Sequence, residues 1–266
     1  MPSSALSSPA IETRALTRTF TLKSGPVHAV RGIDLTVGRG EILGFLGPNG
    51  AGKTTTLRML TTLLPPTGGE AVVAGHDLLG DPAGVRRRIG YVAQSGGLDP
   101  ACDVREELVT QGRLHRLSRA SARLRAEELA EELDLTALMD RPTAALSGGQ
   151  RRRLEIALGL VNRPEVLFLD EPTTGLDPGS RSDLWDLVRR IRAENGTTVF
   201  LTTHLLDEAD ALADRVVVVD AGTVVAEGTP AELKSRYAGD PAASLLDAFL
   251  AVTGRRLPDD PEPVAI

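Results

Sequence analysis

Cysteine is almost absent from this chain: Cys102 stands alone among 266 residues. No internal disulfide can form, and a reducing compartment fits. Long apolar runs are missing too, with nothing near the roughly 18 residues needed to span a bilayer. If the protein works at a membrane, another chain is expected to supply the spanning helices. There is no basic excess: 30 Lys and Arg face 36 Asp and Glu, for a net charge of −6. Bulk charge therefore disfavours nucleic acid as a partner, and none is expected. Residues 1–10, MPSSALSSPA, have neither a basic start nor an apolar core, so they do not read as a secretory signal and are expected to form a flexible tail. What is present, 41% hydrophobic and 25% charged residues, suffices for one large domain or two small ones with a real core.

The most informative stretch is GPNGAGKTT: Gly47, Pro48, Asn49, Gly50, Ala51, Gly52, Lys53, Thr54 and Thr55. It fits the phosphate-binding pattern G-x-x-x-x-G-K-[ST]. Such a loop wraps its backbone around a polyphosphate, and Gly47, Gly50 and Gly52 let N–H groups turn inward. Lys53 is placed to meet the β and γ phosphates and the Thr54 hydroxyl to ligate Mg²⁺. An apolar run at 42–46 predicts a buried strand before the loop. Leu57, Leu60 and Leu64 on one face predict a helix over 55–64 after it, whose dipole favours an anion.

Strands are predicted over 11–20 and 27–37. Phe20 closes the first, where an aromatic can stack on an adenine ring; spacing alone favours an ordinary core or edge-strand residue. A short strand at 71–74 and a short helix bearing Arg86, Arg87 and Arg88 follow. A strand at 89–93 delivers Gln94 into a Gly-rich turn, where it can reach Mg²⁺ or position a water, or serve only as a turn residue. From 103 to 140 the chain is rich in Leu, Ala, Arg and Glu, with Leu124, Leu129, Leu133 and Leu138 among charges. That predicts a helical insertion with a face for a partner or for solvent.

Residues 146–150 read LSGGQ and open a predicted helix through 161. Ser147 and Gln150 fit a capping box. Gly148 and Gly149 in a first turn cost helix stability, which makes sense if a ligand approaches the backbone as at a second anion site. Arg151, Arg152 and Arg153 are either a solvated run or support for that anion. The apolar strand at 166–169 ends in Asp170 and Glu171; its continuous hydrophobicity places it centrally in a parallel sheet. The pair resembles the second half of a phosphate-loop ATPase, which implies that Asp170 holds Mg²⁺ through water and Glu171 acts as general base; a strand-end acidic turn is the plainer reading, which the continuously apolar strand weakens. Asp177 with Pro178 caps a helix carrying Leu184, Leu187, Val188 and Ile191 on one stripe. A strand at 197–202 presents His204 on the same sheet edge as Asp170 and Gln94. His28, His76 and His115 read as structural. A hairpin turns at 220–222, a short helix is expected over 229–237 and a last helix over 242–252. Residues 257–266, rich in Pro and acid, are expected to be disordered.

Taken together, GPNGAGKTT, Gln94, LSGGQ, VLFLDEP, GLDP and His204 resemble an ATP-binding cassette ATPase over about 11–237. The resemblance implies an α/β phosphate-loop NTPase cassette with a mixed sheet core, an N-terminal antiparallel β subdomain and an α-helical subdomain inserted at about 96–162. Residues 238–266 form a C-terminal extension. ATP and Mg²⁺ are the implied ligands: Phe20 stacks on adenine, residues 47–55 hold phosphates, and Thr54, Gln94 and Asp170 serve the metal. Glu171 is the base, with His204, Gln94 and Lys53 beside it. Ser147, Gly148, Gly149, Gln150 and Asp177 meet the nucleotide of a second copy, since the resemblance implies a head-to-tail homodimer. The stretch SLLDAFLAVTG at 244–254 is similar to the daunorubicin-resistance type and broader ABC-2 exporters. No long regulatory domain of the sugar-importer kind follows, which inclines the expectation toward export. That implies a peripheral subunit on the inner, cytoplasmic face of the cell membrane, powering a separate permease that exports drug-like or lipophilic molecules, as in multidrug or antibiotic resistance. A non-transport cassette acting on DNA or the ribosome is the alternative; no long coiled coil, second cassette or basic composition supports it. A phosphate-loop kinase or GTPase is opposed by LSGGQ and by the absence of N-K-x-D.

Overall fold

The computed structural model describes residues 8–23, 25–240 and 242–254. The tail expected at 257–266 lies outside the described residues, as do residues 1–7 of the N-terminal one. Ala10, at the end of that tail, is buried, and its N–H donates to Val37 O at 2.8 Å.

The chain opens with a long antiparallel ribbon, β1 (Ile11–Leu22) and β2 (Gly25–Val37). Strand β3 (Ile42–Leu46) is buried throughout and leads through the Gly-rich loop into α1 (Lys53–Leu60). The helix ends four residues before the sequence reading places its end. Thr62 turns left-handed at φ +63°, and Pro65 biases the residue before it away from helical geometry. Next come β4 (Gly68–Val73), β5 (His76–Asp77), α2 (Pro82–Arg88) and β6 (Ile89–Val92). The helical insertion contains α3 (Val104–Leu114) and α4 (Arg119–Glu132), the first started by an Asp103/Glu106 capping box. Leu129 and Leu133 of this region are buried, whereas Leu124 is 60% exposed, so the apolar stripe is narrower than the sequence suggests. Helix α5 (Gly148–Leu160) returns the chain to β7 (Val166–Asp170). Then follow α6 (Pro178–Asn195), β8 (Thr198–Thr203), α7 (Leu206–Leu212), β9 (Arg215–Asp220), β10 (Thr223–Gly228), α8 (Pro230–Leu233) and α9 (Leu245–Thr253). The short helix α7 was not foreseen from sequence.

Two sheets form. The smaller, in the order β2-β1-β4-β5, is antiparallel. The larger runs β10-β9-β3-β8-β7-β6 and is parallel except for β10. Its central strands are apolar at every position because both faces are covered. In β7, Val166 and Phe168 face the core shared with α1 and the smaller sheet, while Leu167 and Leu169 face the core shared with α5, α6 and the helical insertion. Three of the chain's few aromatics line up across adjacent strands: Phe45 and Phe168 flank Phe200 at 5.3 and 5.5 Å between centroids. Each contributes about 1.5–3 kcal/mol by burial. A third cluster joins Leu46, Val216 and Val218 to Leu245, Ala248 and Phe249 of α9.

Candidate nucleotide site

The strand order decides the site. Strands β3, β8, β7 and β6 are parallel neighbours, so their C-terminal ends share one edge. That edge carries the phosphate loop, His204, Asp170 with Glu171, and Gln94, side by side. Crevices outside the carboxyl ends of parallel strands are where such sheets bind ligands.

The loop is built by close backbone approach. A Cβ on Gly47 would stand 2.3 Å from Val219 O, and one on Gly52 2.5 Å from Ala29 O. Gly52 also adopts φ +99° as N-cap of α1 and brings no side-chain cap. The first N–H groups of α1 therefore stay available to an anion. Gly222 N donates to Ala51 O at 3.0 Å, so the β9–β10 turn braces the loop from behind.

Glu171 is the centre of the polar network. Its backbone is left-handed at φ +44°, a conformation costing about 1–3 kcal/mol for a non-glycine residue. Thr202 supports it, receiving the Glu171 N–H on both O and Oγ1 at 3.0 and 3.1 Å. The carboxylate meets Lys53 Nζ at 3.3 Å, both side chains being buried. Gln94 Nε2 donates to it at 3.0 Å, and Thr174 Oγ1 at 3.4 Å. His204 Nδ1 lies 3.2 Å away, within ion-pair reach although not aligned as a hydrogen bond. Burial pushes the Glu171 carboxyl up, but His204 and Lys53 outweigh it and hold the group below its ordinary value. Burial has the opposite result at Lys53, whose ammonium is lowered despite Glu171. Lys53 Nζ also donates to Gly47 O at 2.8 Å.

Asp170 is buried and accepts from Thr202 Oγ1 at 2.6 Å and from Thr54 Oγ1 at 3.2 Å. A threonine hydroxyl against a carboxylate is the oxygen donor set that Mg²⁺ takes when phosphates complete its shell. Among the described residues, no group of three or more His, Cys, Asp or Glu is set to hold a metal by itself, and Mg²⁺ does not require one. The structure thus brings Lys53, Thr54, Gln94, Asp170, Glu171 and His204 together.

The remaining candidates stand apart from that network. Ser147 is exposed; its Oγ accepts from Gln150 N at 3.3 Å and its N–H donates to Gln150 Oε1 at 3.0 Å, the capping box foreseen for α5. Asp177 caps α6 with both carboxylate oxygens on Ser180, at 3.0 and 2.6 Å. Gly149 lies near Ser180, so the LSGGQ turn and the Asp177 loop share one surface. Phe20 pairs with Val27 in the ribbon, two residues from the Ala29 that touches Gly52, with the Arg18 guanidinium 4.6 Å from its ring centroid.

Thr202, Thr174 and Glu208 were not foreseen. Glu208, fully buried on α7, accepts from Thr173 Oγ1 at 2.9 Å and lies 3.4 Å from Trp185 Nε1. Burial raises its carboxyl above the ordinary value against those donors. A serine or threonine next to a strand end carries no motif, and α7 has none of its own, so only the fold reveals them. The three histidines read as structural have local partners: His28 with Thr19, His76 with Asp81, His115 with Gln111.

Comparison with known proteins gives four findings. The family described as ABC transporter matches residues 30–174. The chain is 48% identical over 270 residues to the daunorubicin/doxorubicin resistance ATP-binding protein of Streptomyces peucetius, covering 97% of this chain and 79% of that one. It is 44% identical to the Nod factor export ATP-binding protein I of Ralstonia nicotianae, covering 81% and 67%. A solved dimeric ATP-binding cassette in a post-hydrolysis state, bound to ADP and Pi, superposes with a TM-score of 0.74 at 27% identity, covering 82% of this chain and 98% of that one.

Proposed function

The chain belongs to the ABC transporter family, and on that premise we propose that it binds and hydrolyses ATP to power export of a drug-like or lipophilic molecule through a separate membrane permease. The meeting of Lys53, Asp170, Glu171, Gln94 and His204 at adjacent strand ends carries the reading. Among the described residues no helix is long and apolar enough to cross a membrane, so the permease is a separate chain in this proposal and the cassette sits peripherally on its inner face. We assign the cassette to 11–237, the helical insertion to about 96–162 and the extension to 238–266. The drug class follows from what the Streptomyces relative is named for.

The proposed roles follow from the contacts. Residues 47–55 enclose the phosphates, with Lys53 on the β and γ groups and Phe20 under the adenine. Thr54, Asp170 and Gln94 are the residues that would hold Mg²⁺, whose chemistry is to neutralise charge on the transferring phosphoryl group. Glu171 takes the proton of the attacking water. Its donors keep it ionised, but they also make it a weak base. A γ phosphate competes with Glu171 for Lys53, and once that contact is relinquished the carboxylate gains basicity where it is needed. His204 lies against Glu171 and orients it and the water. The side chains of Ser147, Gln150 and Asp177 hydrogen-bond locally rather than to this cluster; we assign them, with Gly148 and Gly149, to the nucleotide of a second, head-to-tail copy.

The test is Glu171→Gln. ATP binding by equilibrium titration should persist, while steady-state turnover with Mg²⁺ falls by about 10²–10⁴-fold, the usual worth of a general base. Unchanged turnover would remove Glu171 from that role.

A further inference from the structure

The three arginines after the LSGGQ turn do not behave alike. Arg151 is exposed, and Arg153 meets Asp134 and Asp183 at the surface at 3.4 and 3.6 Å. Arg152, on the second turn of α5, is 5% exposed. Its Nε donates to Pro172 O at 2.7 Å and its Nη2 to Asp170 O at 3.2 Å. Its Nη1 donates to Ala93 O at 2.8 Å and to Glu155 Oε2 at 2.7 Å. The three carbonyls have particular places in the chain. Asp170 and Pro172 bracket Glu171, and Ala93 immediately precedes Gln94. Glu155 supplies the counter-charge and abuts the turn beyond Gln94: a Cβ on Gly96 would lie 1.8 Å from its Oε1.

A guanidinium is a rigid planar fork, and here its prongs reach two different strand ends from one helix. The helix is the one whose first turn carries Ser147. We propose that Arg152 is a positioning residue for hydrolysis, fastening the LSGGQ helix to the strand ends that carry Gln94 and Glu171. Displacement of the Ser147 end by a partner's nucleotide is thereby transmitted to this copy's own Gln94 and Glu171. Each ATP site of a pair is then sensed by the other through its opposite copy's Arg152. The transmission rests on the head-to-tail reading above, while the fastening rests on the four hydrogen bonds alone. A lysine has one nitrogen in place of three and cannot reproduce the fork; a glutamine removes both fork and charge.

The experiment uses the full chain with Mg-ATP and the variants Arg152→Gln and Arg152→Lys. A displacement of about 1 Å at a reacting centre costs on the order of 10²-fold. Turnover in both variants should therefore fall by about 10- to 100-fold with the KM for ATP within about threefold. Adding Arg152→Gln to Glu171→Gln should lower the residual single-turnover rate by less than about threefold, because groups acting as a unit are not additive. Turnover within about twofold of the parent, or the full loss repeated on the Glu171→Gln background, would overturn the proposal. If Arg152→Gln does not fold, Arg152→Lys, which keeps a cation beside Glu155, carries the same measurements. Light scattering of Glu171→Gln with ATP separates the two layers. No dimer there removes the head-to-tail reading, whereas a dimer with undiminished turnover in Arg152→Lys removes Arg152.

Discussion

Helix α1 starts on Gly52, which offers no side chain to its first N–H groups, whereas α5 starts on Ser147, which closes a complete capping box with Gln150. The surroundings differ as much. Lys53 at the first start is buried among oxygens from two strand ends, Gly47 and Pro48 after β3 and Glu171 after β7, while Ser147 at the second is exposed. A bare helix start inside a crevice is an anion site in its own chain. A self-capped start on the surface is stable alone and needs a second molecule to bring it an anion. On the proposed head-to-tail reading, the contrast separates a half-site that the chain completes from one that a partner completes, and a single chain holds two such starts without conflict.

Ser147→Arg breaks that comparison most directly after Glu171→Gln. A large cation on the exposed start should leave nucleotide affinity of the single copy within about threefold. Turnover should fall by on the order of 10²-fold, the scale of losing preorganised donors. An ATP-dependent dimer seen by light scattering in Ser147→Arg would remove the shared-site reading.

Thr202→Val probes the buried half. It deletes the 2.6 Å donor to Asp170 and one acceptor of the strained Glu171 N–H. Glu171 N–H keeps the Thr202 backbone O and Asp170 keeps Thr54 Oγ1, so the cost is that of lost hydrogen bonds, about 0.5–3 kcal/mol, and turnover should drop by roughly 2- to 100-fold with a lower thermal midpoint. An unshifted midpoint in calorimetry together with unchanged turnover would show that Thr202 is incidental.

The smallest effect is expected at Glu208. Its folded carboxyl is raised by burial. The wild-type fold is therefore favoured at low pH and loses stability as pH rises past the ordinary glutamate value of 4.5 toward the folded one. Glu208→Gln has no proton to lose. Its thermal midpoint relative to wild type should increase between pH 5 and pH 8, by a few degrees at most for a chain of this size. A difference constant across that range in thermal melts would contradict the upward shift that burial imposes on Glu208.

Much of the fold was legible because its signals are local. The phosphate loop, the apolar strand at 166–169, the caps at Ser147 and Asp177 and the helical insertion are each written in a few neighbouring residues. Boundaries were less so: α1 ended early at a left-handed Thr62, and α7 went unseen because seven residues after a strand end leave little periodicity to read. The arginine run shows the limit most clearly. Three adjacent identical residues carry no sign of which one turns inward, yet only Arg152 does.

By itself, the order of residues determined which chemical groups this protein possesses and the family it belongs to, since phosphate loops, acid pairs and helix caps depend on chemistry within a few positions. Only the tertiary structure decided which of those groups meet. Lys53 reaches Glu171, and Thr202 reaches Asp170, because β3, β8 and β7 lie side by side. That order comes from long-range pairing in the sheet, where burial on both faces selects neighbours that local sequence does not encode.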